Sequence, residues 1–402
     1  MCYYWSMIQE EILLTNNQAR KFLLYKQGLL GLKHYQGEKG ILEYIKSVGS
    51  LQFDPVDICG KNIEIILQAR VEDYNNSLLY DLLYFKRQLI DFFDKNLCVF
   101  PIEDWPYLAW YFINQHPEYV YESIKEITDM KPLVRKLIRK HGHISAQEIE
   151  DNKKLVWHWS MPTSLARATL ETMYFNGELI IHHKKGTIKS YAFAKDYLPP
   201  KIYKNKKAFK SELQRYSWLV ERRIAAIGML WNKASDAWLG TGITTKQRQE
   251  AFNNLLNNKL IFGVKVENIK ETFFIAERDR YILKEVLKGE KPEERTELIA
   301  PLDCLLWDRK LIAAIFDFDY KWEIYTPKNK RKYGPYSLPL LQGESFIGRI
   351  DIQRNKPQLM VGNFYPEKGI VLSKQNKEKI NECLKRFAAF NGCKEVSGLF
   401  KM

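Results

Sequence analysis

The chain has 402 residues, 46% of them hydrophobic and 27% charged, with a formal net charge of +14. That length suggests two to four domains, and the mean hydropathy of -0.38 with short apolar runs such as Leu311 to Phe316 excludes a membrane-spanning protein. The positive surplus points to a polyanion, nucleic acid first, over a merely solubilising surface.

Met1 to Glu10 lacks the basic-then-apolar layout of a signal peptide. Six cysteines stand at positions 2, 59, 98, 304, 383 and 393, none in a CxxC pair. They read as buried free thiols in a reducing cytoplasm, with neither a disulfide framework nor a structural zinc site.

In chain order, residues 11 to 54 read as helix, helix, strand. Thr15 caps the first helix with Gln18 as its capping-box partner. Ile41, Leu42, Ile45 and Val48 mark one face of the second, and Gly49 ends it. Leu51 to Asp54 alternates as a short strand does, and Pro55 stops it. Residues 76 to 125 read as aromatic-rich helical packing material. Lys131 to Lys140 is a basic helix, Ser145 with Glu148 opens a second, and Ser164 to Asn176 is a third, closed by Gly177. A hairpin follows, Leu179 to Ile181 and Thr187 to Phe193, with His182-His183-Lys184-Lys185-Gly186 at its tip. Three helices and a hairpin is the order of a winged helix, with the third helix in the major groove and the basic tip on the backbone.

The order recurs at 216 to 282: helices Trp218 to Trp231, Lys233 to Leu239 and Thr244 to Asn257, then strands Leu260 to Val266 and Thr272 to Ala276 turning through Glu267-Asn268. Gly177-Glu178-Leu179-Ile180 and Asn258-Lys259-Leu260-Ile261 stand as equivalents, a weak repeat of about 80 to 85 residues. Lys195 to Lys210, with six lysines, reads either as a linker or as a phosphate-contacting strip. From about 293, short strands at Glu297–Ile299, Trp322–Tyr325, Ser337–Leu341, Ser345–Ile352 and Gln358–Val361 predict a small antiparallel sheet or barrel, closed by a helix at Lys374–Phe390.

No Walker A loop, GxGxxG, HExxH, GxSxG or two-metal acid cluster is present. His182-His183 reads as a basic tip rather than a metal pair, because strand neighbours point to opposite faces. Gln52 and Asp54 fall on one face of the predicted strand. An amide and a carboxylate there can bracket a water molecule, the carboxylate taking a proton or facing a developing cation. On these residues alone, an ordinary turn before Pro55 is the better reading.

Four blocks carry a wider resemblance: SLQFDPVDICGKN at 50–62, WHWSMPTSLARATLETMYFNGEL at 157–179, APLDCLLWDRKLIAAIFDFDYKWEIYTP at 300–327 and KRKYGPYSLPLLQGESFIGRID at 330–351. In order and over residues 15 to 365, the chain resembles the YcaQ/AlkZ family of winged-helix DNA glycosylases. The resemblance places the family's catalytic motif on Gln52, Phe53 and Asp54, in its aspartate-bearing form. It implies an α+β chain of three tandem winged-helix domains (1–125, 126–205 and 206–292) and a C-terminal antiparallel β domain with a terminal helix (293–402). It also implies monofunctional excision of N7-alkylated purines from double-stranded DNA, in some members with unhooking of interstrand crosslinks. Asp54 would stabilise the sugar cation and activate water, and Gln52 would position that water. No metal or organic cofactor and no Schiff-base lysine enter this reading. The partner is alkylated duplex DNA, not a membrane, engaged by a monomer on the nucleoid in the cytoplasm.

Candidate phosphate contacts are Lys184 and Lys185, then Lys201, Lys204, Lys206 and Lys207, then Lys328, Lys330, Arg331 and Lys332. Arg349 and Asp351 read as a structural ion pair. The competing readings are a winged-helix transcription regulator with a ligand-sensing C-terminal domain and a structural DNA binder; neither gives Gln52 and Asp54 a role.

Overall fold

The computed structural model describes residues 12–115, 124–151, 153–156, 162–205 and 208–398. They fall into two compact units, one of Met1–Asn75 with Leu213–Met402 and one of Asn76–Glu212. The division after Asn75 lies inside the first of the four expected domains.

In the unit of Asn76–Glu212, a helix at Asn76–Tyr80 runs into a π-turn at Asp81–Phe85 and then a hairpin, Leu89–Phe93 with Leu97–Pro101. The sequence reading of this stretch as wholly helical is corrected here. Both strands are buried on both faces, so no period-2 alternation marks them. The tight turn is closed by the Asp94 N–H donating to the Asn96 carbonyl at 2.9 Å. Helices Trp105–Gln115, Ile124–His141 and Leu165–Phe175 follow. Ser145 and Glu148 do form a capping box, but on a single 3-10 turn, Ala146–Glu148, rather than a full helix. The hairpin Leu179–Lys185 and Ile188–Phe193 takes Ile144–Ser145 as a third antiparallel strand. Part of the lysine-rich stretch is helical, at Ala194–Tyr197 and Pro200–Tyr203.

The other unit repeats this plan. Helix Glu212–Ile227 stops where Gly228 takes φ +111, and Met229–Trp231 is a strand, not the helix's last turn. The expected second helix shrinks to a 3-10 turn, Asp236–Trp238. Helix Thr245–Asn257 carries a capping box from Thr244. The hairpin Ile261–Val266 and Ile269–Ala276 turns through Glu267-Asn268 and pairs with Met229–Trp231. On its far edge lies Ile12–Leu14, paired in parallel across some 250 residues of sequence, which no local pattern announces.

The backbone sets the register of the repeat. Gly177 (φ +69) and Lys259 (φ +56) each hold the left-handed position after the helix. Glu178 N–H donates to Met173 at 3.0 Å, and Leu260 N–H to Leu255 at 2.9 Å. Gly177 therefore corresponds to Lys259, one residue later than the sequence alignment placed it. A β-carbon in this conformation costs about 1–2 kcal/mol, so lysine in place of glycine hid the match.

The C-terminal sheet is ordered Thr296–Leu298, Ser337–Gln342, Ser345–Asn355, Gln358–Pro366 and Glu395–Gly398. The first three pairings are antiparallel and the last is parallel. Helix Lys374–Phe390 stands where the amphipathic pattern predicts it. Trp322–Tyr325 is not a strand. The Glu323 carboxylate accepts the Lys332 and Tyr333 N–H groups at 3.1 and 2.7 Å, folding 323–333 into a closed loop in which the strand's ladder bonds have no place.

The segments before Asn75 and after Leu213 meet at a fully buried ion pair, Arg70–Asp303, 2.8 Å apart with both side chains 0% exposed. Arg70 also donates to the carbonyls of Gln27 and Ile66 at 2.8 and 3.0 Å and lies over the Tyr44 ring. Removing one member leaves an uncompensated buried charge, at a cost of about 3–5 kcal/mol. Asp303→Ala is accordingly expected to lower unfolding free energy by that amount in urea titrations; a loss within the ~0.5 kcal/mol of a surface change would contradict this role.

Candidate active site

The regular strand is shorter than the sequence pattern implies. It covers only Leu51–Gln52, and Phe53 to Val56 leave it as a turn. Asp54 Oδ1 accepts the Val56 N–H at 2.9 Å, an Asx turn of the kind that aspartate before proline favours. Gln52 and Asp54 therefore do not lie on one continuous strand face. Gln52 is 5% exposed, and its Oε1 is buried with no hydrogen-bond partner among the described residues. Asp54 is half-buried. Burial raises its pKa, and the Val56 N–H opposes that shift.

The strand is fixed from the side by Asn62. Its Nδ2 donates to the Gln52 carbonyl at 2.8 Å and its Oδ1 accepts the Leu302 N–H at 2.9 Å. Leu302 directly precedes Asp303 of the buried pair, so one amide links the Gln52 strand to that anchor. Asp57 holds the loop's other side, pairing with Arg354 at 2.9 Å and capping Gly60 at 3.1 Å. Two tyrosines come within electrostatic reach of Asp54. Burial is the main cause of the raised pKa of both Tyr325 and Tyr336, and the Asp54 charge adds to it. Tyr336 is buried, whereas Tyr325 is 75% exposed. Sequence reasoning missed Asn62, Tyr325 and Tyr336. Each lies in one of the resembling blocks, which was the available signal.

The proposed phosphate contacts separate. Lys184 pairs with Asp91, and its side chain is only 7% exposed. Asp91 in turn accepts from Tyr84 OH at 3.1 Å. Lys184 is thus a structural cation with an internal partner. Lys185, Lys201 and Lys204 are exposed in the same unit, and Lys328, Lys330 and Lys332 are exposed in the unit that holds Asp54. Arg331 turns inward, donating to the carbonyls of Thr326 at 2.7 Å and Ile324 at 3.3 Å. Lys206 and Lys207 lie outside the described residues. Arg349 is structural, but its ion partner is Glu367 at 2.6 Å, not Asp351, which instead binds Ser337 and Tyr365. A β-carbon on Gly334 would strike the Asp351 carboxylate, which explains that glycine. A cavity of about 650 Å³ in this unit borders Lys26, Asp279 and Tyr281. Its lining excludes Gln52 and Asp54, so its size says nothing of the chemistry.

A family model described as DNA glycosylase AlkZ-like matches residues 45–390. The chain belongs to that family. It is a DNA glycosylase, a DNA-repair hydrolase whose substrate is DNA. The fold is similar to that of the Streptomyces sahachiroi DNA glycosylase AlkZ, with TM-score 0.61 at 12% identity, over 96% of this chain and 100% of that one. The mixed α+β architecture is therefore shared. Family membership leaves the transcription-regulator and structural-binder readings without support. Among the described residues no helix is long and apolar enough to cross a membrane.

The two neighbouring hairpin lysines give a test. Lys184→Met is expected to cost about 3–5 kcal/mol of stability by stranding Asp91, while Lys185→Met stays within ~0.5 kcal/mol in the same denaturation assay. Equal small losses would show that Lys184 is an ordinary surface lysine.

Proposed function

We propose that the protein excises N7-alkylated, cationic purines from duplex DNA as a monofunctional glycosylase, with Asp54 beside the deoxyribose and Gln52 holding the attacking water. The single observation that carries this is the state of the Gln52–Asp54 segment. A buried amide oxygen without a partner and a half-buried carboxylate lie on a loop pinned by Asn62 and Asp57. Buried polar groups are ordinarily satisfied, so an unsatisfied amide at this position supports a role in holding a water or substrate atom.

The chemistry follows from the lesion. Alkylation at N7 puts positive charge on the base and makes it a good leaving group, so no acid is required to expel it. Charge builds on the sugar in the transition state, and a fixed carboxylate stabilises it while accepting a proton from water. No lysine takes part as a nucleophile, and the product is an abasic site. Unhooking of interstrand crosslinks is the same bond cleavage on a tethered base.

For DNA binding, we read the two repeated modules, 126–205 and 206–292, as winged helices and the first segment as a third, followed by the C-terminal β domain at 293–402. Helices Leu165–Phe175 and Thr245–Asn257 hold the recognition-helix position. Lys328, Lys330 and Lys332 follow the exposed Tyr325, which lies within electrostatic reach of Asp54. We read them as phosphate contacts that would help seat the damaged strand at this unit. Lys185, Lys201 and Lys204 are further candidate contacts. The DNA-bound species is read as a monomer, acting on the nucleoid.

The test is incubation with duplex carrying a single N7-methylguanine, followed by mild alkali. Wild type is expected to give strand breaks at the lesion. Asp54→Asn should bind the duplex equally and cut about 10²–10³-fold more slowly. Absence of base-specific breaks with wild type on any N7-alkylated duplex would refute the proposal. Because burial raises the Asp54 pKa and the ionised form is the active one, the excision rate should fall with decreasing pH at a higher pH than an ordinary carboxylate allows. The Asp54→Asn profile should lack this acidic limb, and an acidic limb shared by both proteins would assign it to another group. Lys328→Ala with Lys330→Ala should weaken binding to all duplexes alike and flatten the slope of log K against log salt by about 0.9 per lost contact; an unchanged slope would remove these lysines from the interface.

A further inference from the structure

We propose that His143, His182 and His183 form a binding site for a divalent transition-metal ion of the zinc type. This is a site separate from the glycosylase chemistry and carries no role in it. In a regular strand His182 and His183 would face apart. The register shifts here, however: Ile181 pairs with Tyr191 and His183 with Ser190, leaving His182 as the extra residue of a bulge. Bulges re-aim side chains in this way. The two Nδ1 atoms lie 2.8 Å apart. His143 stacks on His182 with ring centres 4.5 Å apart and meets the His183 ring edge-on at 5.0 Å. One ring nitrogen from each of the three lies within 4.8 Å of the others.

Two features favour a cation over a plain stack of rings. His143 Nδ1 is buried with no hydrogen-bond partner among the described residues. The nitrogen spacing is also close to what an ion needs. With Zn–N bonds of about 2.0–2.1 Å, tetrahedral ligands stand about 3.3 Å apart, between the shortest separation and the outer limit seen here. Small ring rotations close the set. All three residues are only half-buried, which leaves a fourth position for water or an outside donor. Imidazole donors suit zinc, copper and nickel rather than magnesium or calcium.

The surrounding charges are mixed. Glu148 attracts a cation at this point. Arg87 opposes one, but its guanidinium is directed to the Ile181 and His182 carbonyls at 3.1 and 2.8 Å and lies over the Tyr197 ring. There it fixes the bulge backbone from which both histidines project.

Chelator-treated full-length protein titrated with Co²⁺ tests the site. The expected result is one equivalent bound with visible d–d absorption, displaced by one equivalent of Zn²⁺. His183→Ala should weaken binding by at least about tenfold, with unchanged far-UV circular dichroism. A second readout needs no variant: of the seven histidines, three should show ring-nitrogen NMR shifts on Zn²⁺ addition. Either no saturable binding by wild type, or binding unchanged in the variant lacking all three histidines, overturns the proposal.

Discussion

Arg70 and Asp303 hold together segments more than two hundred residues apart, with no solvent to screen either charge. An ion pair so placed gains its Coulomb energy only if every remaining donor is met. Arg70 donates to Gln27 and Ile66 as well, and Asp303 Oδ1 also takes the Leu305 N–H, while its Oδ2 is buried with no hydrogen-bond partner among the described residues. The geometry around the candidate carboxylate descends from this constraint. Asp303 fixes the turn that offers the Leu302 N–H; that N–H orients Asn62, and Asn62 takes the carbonyl of Gln52. In the proposed mechanism Gln52 and Asp54 would lose rate steeply with small displacements, which would give a rigid chain of buried contacts beneath them a functional reason.

The same logic explains why two of the resembling blocks contain acids that do no chemistry. Asp308 caps helix Arg309–Phe316 through the Leu311 N–H at 3.0 Å and accepts the Trp231 indole at 2.9 Å. Asp351 closes a turn against Gly334, Ser337 and Tyr365. Both carboxylates are taken up by internal hydrogen bonds, whereas Asp54 is half-buried on a turn.

Much of the fold was legible in the chain, and each failure has its own physical cause. Helix ends with strong local chemistry, such as Thr15, Gly49 and Gly177, stand where capping rules put them. The hairpin at Leu89–Pro101 was hidden because both its faces are buried. The parallel strand Ile12–Leu14 was hidden because its partner is remote, and the repeat slipped by one because Lys259 does what Gly177 does. At the candidate site the residue types were readable but their surroundings were not. The sequence could not show that Lys184 is claimed by Asp91, that Arg331 turns inward, or that a bulge brings His182 beside His183.

The central claim is that the side chain at position 54 sits against the sugar of the damaged nucleotide. A crystal structure of Asp54→Asn bound to a lesion-bearing duplex measures this directly. The account predicts the residue-54 side chain within about 3 Å of an ordered water or the anomeric carbon's ring oxygen, with the Gln52 amide on the same water. A complex in which the lesion's sugar lies elsewhere, with residue 54 touching only protein, would contradict it.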